Sequence, residues 1–223
     1  MNDDELWAAI DAQRRRTVNL LHDLTPAEWD HASLCDGWRV RDVAAHLTMQ
    51  QMTLSDGLKG FLRHPGGMNH VICAAAVSEA NRRPPGWLIA EISRTIGSRR
   101  FNVGVTPRET LLDIIVHGQD MAIPLQRQLE VPVRAAAFTA TQLWSYQASR
   151  KGRWMARVFR PVPYQSYRLT ATDTEWSVGA GPEIRGPILA IVLLLTGRTA
   201  RYADLAGPGA AVLEATLGLK IAP

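Results

Sequence analysis

Three residues of this 223-residue chain have the types and the spacing to hold a metal ion: His46, Asp113 and His117. Asp113 and His117 stand four apart in ETLLDIIVHGQDMA, and on a helix that spacing places both side chains on one face, a turn apart. His46 lies in the middle of another helical segment, VRDVAAHLTMQ. Two ligands from one helix and one from a facing helix make a set of nitrogen and oxygen donors that zinc accepts, as do other first-row metals. Three protein ligands leave one position open for water or for a substrate sulfur or oxygen, and an open position separates a catalytic metal site from a structural one. Spacing alone leaves a second reading open, because a carboxylate and an imidazole four apart also form an ordinary surface ion pair. The neighbours of Asp113 weigh against the surface. Leu112, Ile114, Ile115 and Val116 surround it, and a carboxylate buried among them needs a metal, a cation or several donors.

The elements that must position these residues are helical through the first 150 residues. Asp3 or Asp4 caps a first helix that runs to about His22, with Leu6, Trp7, Ile10, Val18 and Leu21 on its apolar face. Pro26 opens a short turn, SLCDGW breaks the pattern, and a long helix from about Val40 carries Val43, Ala44, Leu47, Leu54 and Leu58 at helical spacing. HPGG ends it. Further helices cover roughly Met68 to Arg82 and the stretch from RPPGW to near Arg100. The helix bearing Asp113 and His117 has the clearest start: Thr106 as N-cap, Pro107 at the first helical position and Glu109 completing a capping box. A helix from Pro132 to near Arg150 follows.

Beyond about residue 150 the pattern changes. YRLTATDTEWSVGAG alternates and is rich in β-branched and aromatic residues, which predicts a hairpin turning near Thr172–Thr174. GPEIRGP reads as Gly- and Pro-punctuated, ILAIVLLLTG as a buried helix, and TARYADL and GAAVLEATL as two short ones. These assignments predict an α+β chain: a helical bundle over 1–150 and a small α+β domain over 151–223.

Composition narrows the function classes. Hydrophobic residues at 46% and charged residues at 21% describe an ordinary globular protein. The net charge of +4 is modest, and its one cluster, Arg150, Lys151, Arg153, Arg157 and Arg160 with Trp154 and Phe159, reads as a solvated face or linker rather than a nucleic-acid site. A small anionic substrate is the more economical partner. Two cysteines, Cys35 and Cys73, make no disulfide framework. Cys35 has no histidine at motif spacing and reads as a small packing residue. The acidic N-terminus has no signal-peptide pattern, and the apolar run from Ile188 to Leu195 is too short to span a bilayer. The expectation is a cytoplasmic monomer or homodimer with no nucleic-acid or membrane partner.

SLCDGWRVRDVAAHLTMQ resembles the signature of the mycothiol-dependent maleylpyruvate isomerase N-terminal domain, one of the DinB-like four-helix bundles, through Cys35, Gly37, Trp38, Val40, Asp42, Val43 and Ala45-His46-Leu47. ETLLDIIVHGQDMA is similar to that family's second motif, and WSVGAGPEIRGPILAIVLLLTGR to its small C-terminal domain, related to sterol-carrier folds. The resemblance implies a divalent metal, usually zinc, held by His46, Asp113 and His117, with mycothiol as the thiol co-substrate. The family more often has Glu where this chain has Asp113, which sets the carboxylate back by about one methylene. Arg198 is a candidate for holding an anionic substrate; its alternative is an ion pair at a helix C-terminus. Trp38 and Asp42 are expected to fix the entry and first turn of the His46 helix, and Asp120 to be either a supporting carboxylate or a solvated one.

The implied reaction is thiol activation followed by addition to an electrophilic carbon, giving S-transfer or cis–trans isomerisation. A metal-dependent hydrolase using bound water, and a non-catalytic small-molecule-binding protein with a degenerate site, are the alternatives.

Overall fold

Local capping decides where the helices begin. In the structure, a computed structural model that describes residues 1–52, 66–102, 104–146, 152–153, 159 and 162–219, helix α1 spans Asp3–His22. Its cap is Asn2, one residue before the expected acids: Asn2 Oδ1 accepts from the Glu5 amide and Glu5 Oε2 accepts from the Asn2 amide, each at 2.9 Å. Thr25 caps the one-turn helix α2, Pro26–Trp29, by the same reciprocal arrangement. Helix α3 covers Val40–Thr48, α4 Met68–Arg82, α5 Pro85–Arg94 and α6 Pro107–Ala122. The α6 start follows the sequence reading, with Thr106 as N-cap, Pro107 in the first turn and Glu109 closing the box.

Two helices are shorter than expected. The α3 helix stops at Thr48, where Met49 caps it through its amide to the His46 carbonyl (2.9 Å). The apolar positions Leu54 and Leu58 lie outside the described residues. The α5 helix ends at Arg94 rather than near Arg100, with Thr95 as its cap.

The chain divides into two compact units, Met1–Glu130 and Val131–Pro223. Within the first, α1 lies against α5 and α6, and α3 packs on α4, α5 and α6. Val40, Val43, Ala44, Leu47, Leu111, Ile114 and Ile115 are fully buried there. Gly118 permits close approach on α6: a Cβ at that position would lie 2.6 Å from Leu129 Cδ2. The buried face of α1 is unusual in holding Gln13, Arg14 and Thr17 among its aliphatic residues.

The unit boundary falls earlier than the expected 150. Helix α7, Val133–Ser145, packs within the second unit against α8, Ile188–Leu195. The expected hairpin is present as β1, Arg168–Ala171, antiparallel to β2, Ser177–Gly179. GPEIRGP, which showed only punctuation, forms β3, Glu183–Gly186, parallel to β1, so the strand order is β2-β1-β3. Flanking Gly and Pro hid a four-residue strand whose one large apolar side chain, Ile184, is fully buried. Within TARYADL only a 3-10 turn, Tyr202–Asp204, forms. The last helix, α9, is Pro208–Leu217 and rests on β3. Of the basic cluster only Arg153 and Phe159 are among the described residues.

Candidate metal centre

Three segments of the first unit build this centre: α3, α6 and the irregular hairpin that leads into α3. The hairpin is tied at its base by Val40 N to His31 O (2.9 Å) and Ser33 N to Trp38 O (2.8 Å). Its tip is a turn closed by Trp38 N to Cys35 O at 2.9 Å, with Gly37 at φ 76°, the positive φ that the third position of a type II turn requires. Asp42, 2% exposed, locks the junction. It accepts from the Arg39 amide at 2.8 Å and from the Arg39 guanidinium Nε and Nη2 at 3.0 Å each. Trp38 does more than fix the helix entry as expected. Its indole lies 5.6 Å from the His46 ring and 6.4 Å from the His117 ring, centroid to centroid, and walls one side of both.

His46, on α3, meets Asp113 and His117, on α6. Asp113 Oδ1 lies 3.2 Å from His46 Nε2 and 3.4 Å from His117 Nε2, and the two imidazoles meet edge to face at 4.7 Å. All three side chains are half-buried, at 18%, 30% and 17% exposure in that order. Donors about 2.0–2.1 Å from a tetrahedral zinc stand roughly 3.3 Å from one another, so both distances suit such an ion. Two imidazole nitrogens and a carboxylate oxygen also suit it chemically. The shorter Asp113 side chain reaches both histidines.

Neighbouring groups set the orientation of each donor. Gln50, which the sequence did not single out, donates its amide to Asp113 Oδ2 at 2.8 Å and so leaves Oδ1 facing the histidines. Asp120 is fully buried, and its Oδ2 accepts from His117 Nδ1 at 2.9 Å. It is therefore a supporting carboxylate rather than a solvated one. The reading of Cys35 as a packing residue is corrected: its thiol donates to the same Asp120 oxygen at 3.1 Å and lies 3.7 Å from His117 Nδ1. His46 differs from His117, for its Nδ1 is buried with no hydrogen-bond partner among the described residues.

The electrostatics favour a cation at this point. Burial raises the Asp113 carboxyl, but the charges of His46 and then His117, with hydrogen bonds from His46 and Gln50, outweigh it and hold the group below the usual carboxylate range. Burial lowers the His117 imidazole. The Asp113 charge, the hydrogen bonds with Asp120 and Cys35, and the Asp120 charge reverse that and lift it well above its ordinary value. A proton on His117 and a divalent metal at Nε2 are alternative ways of meeting the same negative field, so the two compete.

Arg198 belongs to the second unit, where its Nη1 donates to the Thr196 carbonyl at 2.8 Å just past the end of α8. His22, His31 and His70 stand outside the His46 centre, and His64 lies outside the described residues. Neither cysteine forms a disulfide.

Residues 10–101 match the family model for the mycothiol maleylpyruvate isomerase N-terminal domain. The matched stretch lies within the first unit. His46 lies inside the matched stretch, whereas Asp113 and His117 lie beyond it. The crystal structure of the mycothiol-dependent maleylpyruvate isomerase shares the fold with TM-score 0.59 at 12% identity, covering 94% of each chain. A histidine-to-alanine mutant of that isomerase gives TM-score 0.57 at 13% identity with the same coverage. The architecture is thus that of the isomerase structures, a helical unit followed by one with a three-stranded sheet. No curated protein sequence matches the chain. No helix among the described residues is long and apolar enough to cross a membrane.

Proposed function

We propose that this chain is a metal-dependent enzyme that activates a low-molecular-weight thiol of the mycothiol kind and adds it to a small, electrophilic, anionic substrate, with S-transfer or cis–trans isomerisation as the outcome. The family domain over 10–101 and the fold supported by the maleylpyruvate isomerase structures favour the thiol class. The observation that carries the metal is the meeting of His46 Nε2, Asp113 Oδ1 and His117 Nε2 within 3.4 Å of a shared carboxylate oxygen.

A divalent metal at these donors, zinc by their type, supplies the Lewis acidity that keeps a thiol deprotonated at neutral pH. The protein's own groups do the rest. His46 and His117 present Nε2, and Asp113 presents Oδ1. Asp120 holds the proton on His117 Nδ1, which fixes the tautomer and leaves Nε2 as the donor. Trp38 provides an apolar wall beside the imidazoles and limits water on that side. The thiolate sulfur bonds to the electrophilic carbon while the double-bond electrons move onto the conjugated carbonyl. Retention of that bond, with the proton released by the thiol taken up at the carbon beside the carbonyl, is S-transfer. Rotation about the new single bond, followed by return of the electrons and departure of the thiolate, gives the trans isomer. Arg198 is proposed to bind the substrate carboxylate.

The test measures metal per chain by mass spectrometry in the wild type, His46→Ala and Asp113→Ala, then turnover of maleylpyruvate and related unsaturated acids with and without mycothiol. The reading expects about one metal per wild-type chain, its loss in both variants, and turnover that requires the thiol. Metal-dependent turnover without thiol would shift the assignment to hydrolysis. A wild-type protein that takes up no added zinc would remove the metal.

A further inference from the structure

Arg14 is a guanidinium with no exposed side-chain surface, in the middle of the buried face of α1. Burying a cation is expensive unless its donors are used, and nothing in the packing of helices requires one there. Its two terminal nitrogens have specific destinations, while Nε is buried with no partner among the described residues. Nη1 donates to the Thr95 carbonyl at 2.7 Å and to the Ser98 carbonyl at 3.3 Å, both just past the end of α5, and reaches Asp11 Oδ1 at 3.4 Å. Nη2 donates to Gln50 Oε1 at 3.4 Å. Gln50 is itself 6% exposed, and with its oxygen turned to Arg14 its amide nitrogen faces Asp113 Oδ2 at 2.8 Å. A relay of two hydrogen bonds therefore runs from a buried cation to the far oxygen of the carboxylate that faces both histidines.

This relay answers a question that the short Asp113 side chain poses. A carboxylate with both oxygens free can chelate a metal through both of them, filling the position that thiol chemistry needs. A carboxylate whose second oxygen accepts a hydrogen bond offers one. The Asp113 carboxylate only accepts and the Arg14 guanidinium only donates, so the two together fix which way the Gln50 amide is turned.

Resting on the metal reading above, we propose that Gln50, with its amide oriented by Arg14, is the positioning residue that limits Asp113 to single-oxygen coordination and so keeps a coordination position open. The residue touches neither metal nor substrate; it acts through Asp113.

The test uses the full chain, loaded with zinc alone or with cobalt(II) alone. Zinc affinity is measured by competition with a chromophoric chelator for the wild type, Gln50→Met and Arg14→Lys, with thermal melting of each metal-free protein as the folding control. Gln50→Met keeps length and loses both hydrogen bonds. The proposal expects a loss of zinc affinity on the order of 10–100-fold, the range for supporting partners of metal ligands, with one metal per chain retained. It also expects a weaker visible cobalt(II) spectrum, as the freed carboxylate chelates and raises the coordination number. Arg14→Lys keeps the charge and loses the planar fork, so its affinity should fall in the same direction, and the double variant should lose less than the sum of the two. If Arg14→Lys fails to fold, Gln50→Met decides alone. A folded Gln50→Met with zinc affinity within twofold of wild type and an unchanged cobalt spectrum overturns the role of Gln50. Failure of the wild type to bind zinc overturns the metal reading beneath it, which is a different result.

Discussion

The two units treat polar burial in opposite ways. Helix α8 of the second unit buries Ile188, Ala190, Ile191, Val192, Leu193, Leu194 and Leu195, and the fully or nearly fully buried polar groups described in that unit are Thr139 and Thr196. The first unit buries Gln13, Arg14, Thr17, Asp42, Gln50, Thr95, Thr110, Gln119 and Asp120. Burying a polar group costs free energy that a hydrogen bond only offsets, and an apolar replacement of the same shape is often no worse for stability. A region that keeps so many polar groups inside is therefore arranged for something besides stability. Here, several of them lead to His46, Asp113 and His117. The second unit has the composition of a stabilising core.

The sharpest way to break this comparison is His117→Ala. It should abolish stoichiometric zinc binding and thiol-dependent turnover, and should lower the melting temperature of the metal-free protein near pH 6, because Asp113 and Asp120 lose the imidazole they face; metal content, initial rates and a thermal melt check all three. A variant that keeps its metal would remove His117 from the ligand set. The converse variant, Ile191→Ala in α8, should cost about 2–5 kcal/mol by cavity formation and leave zinc per folded chain unchanged, as read by denaturant titration with metal analysis.

A smaller effect sharpens the role of the buried carboxylate. Asp120→Asn keeps the shape and loses the charge beside His117 Nδ1, and should weaken zinc binding by about 10–100-fold. An unchanged affinity would place Asp120 outside the function of the centre.

The pH response follows from the two shifted groups. Asp113 is depressed when folded, so its contribution is present above the unfolded carboxylate value, roughly 3.9, and is lost as pH falls through the lower folded value. His117 is raised, so its contribution is full below the unfolded imidazole value, roughly 6.5, and is lost as pH rises through the folded value. The metal-free protein should gain most from this pair between about pH 4 and 6.5. Zinc must displace the His117 proton, so its affinity should climb by about tenfold per pH unit above that window until the imidazole is neutral. Chelator competition at several pH values measures the slope, and a flat profile would contradict a protonated His117. The smallest effect is local: Thr106→Ala removes the α6 cap and should cost about 1 kcal/mol, without changing zinc affinity in the folded protein.

Much of the first unit was legible because its signals are short-range. The Thr106–Pro107–Glu109 start of α6 is present as read, since a cap is settled by three or four consecutive residues. Strand β3 was not legible, because Glu183, Ile184, Arg185 and Gly186 are too few to show a period, and it is the pairing with β1 that makes them a strand. The α7 helix was legible as a helix but not as part of the second unit. Its residues carry no mark of which apolar face they will meet, and the match to α8 is a property of two segments far apart in sequence.

The same division runs through the candidate centre. Asp113 and His117 could be placed on one side of a helix from their numbers alone, because a 3.6-residue turn fixes the relation of positions four apart. The residue types also raised a chemical question, since a carboxylate among apolar neighbours needs a metal, a cation or several donors. What only the tertiary structure decided is which further groups converge on that pair and on His46: Gln50 from just past the end of α3, Trp38 and Cys35 from the hairpin, and Arg14 from α1. No spacing rule relates Cys35 to Asp120 or Arg14 to Gln50. Their meeting depends on how the helices cross and how one turn folds, and those geometries are set by the packing of the whole unit.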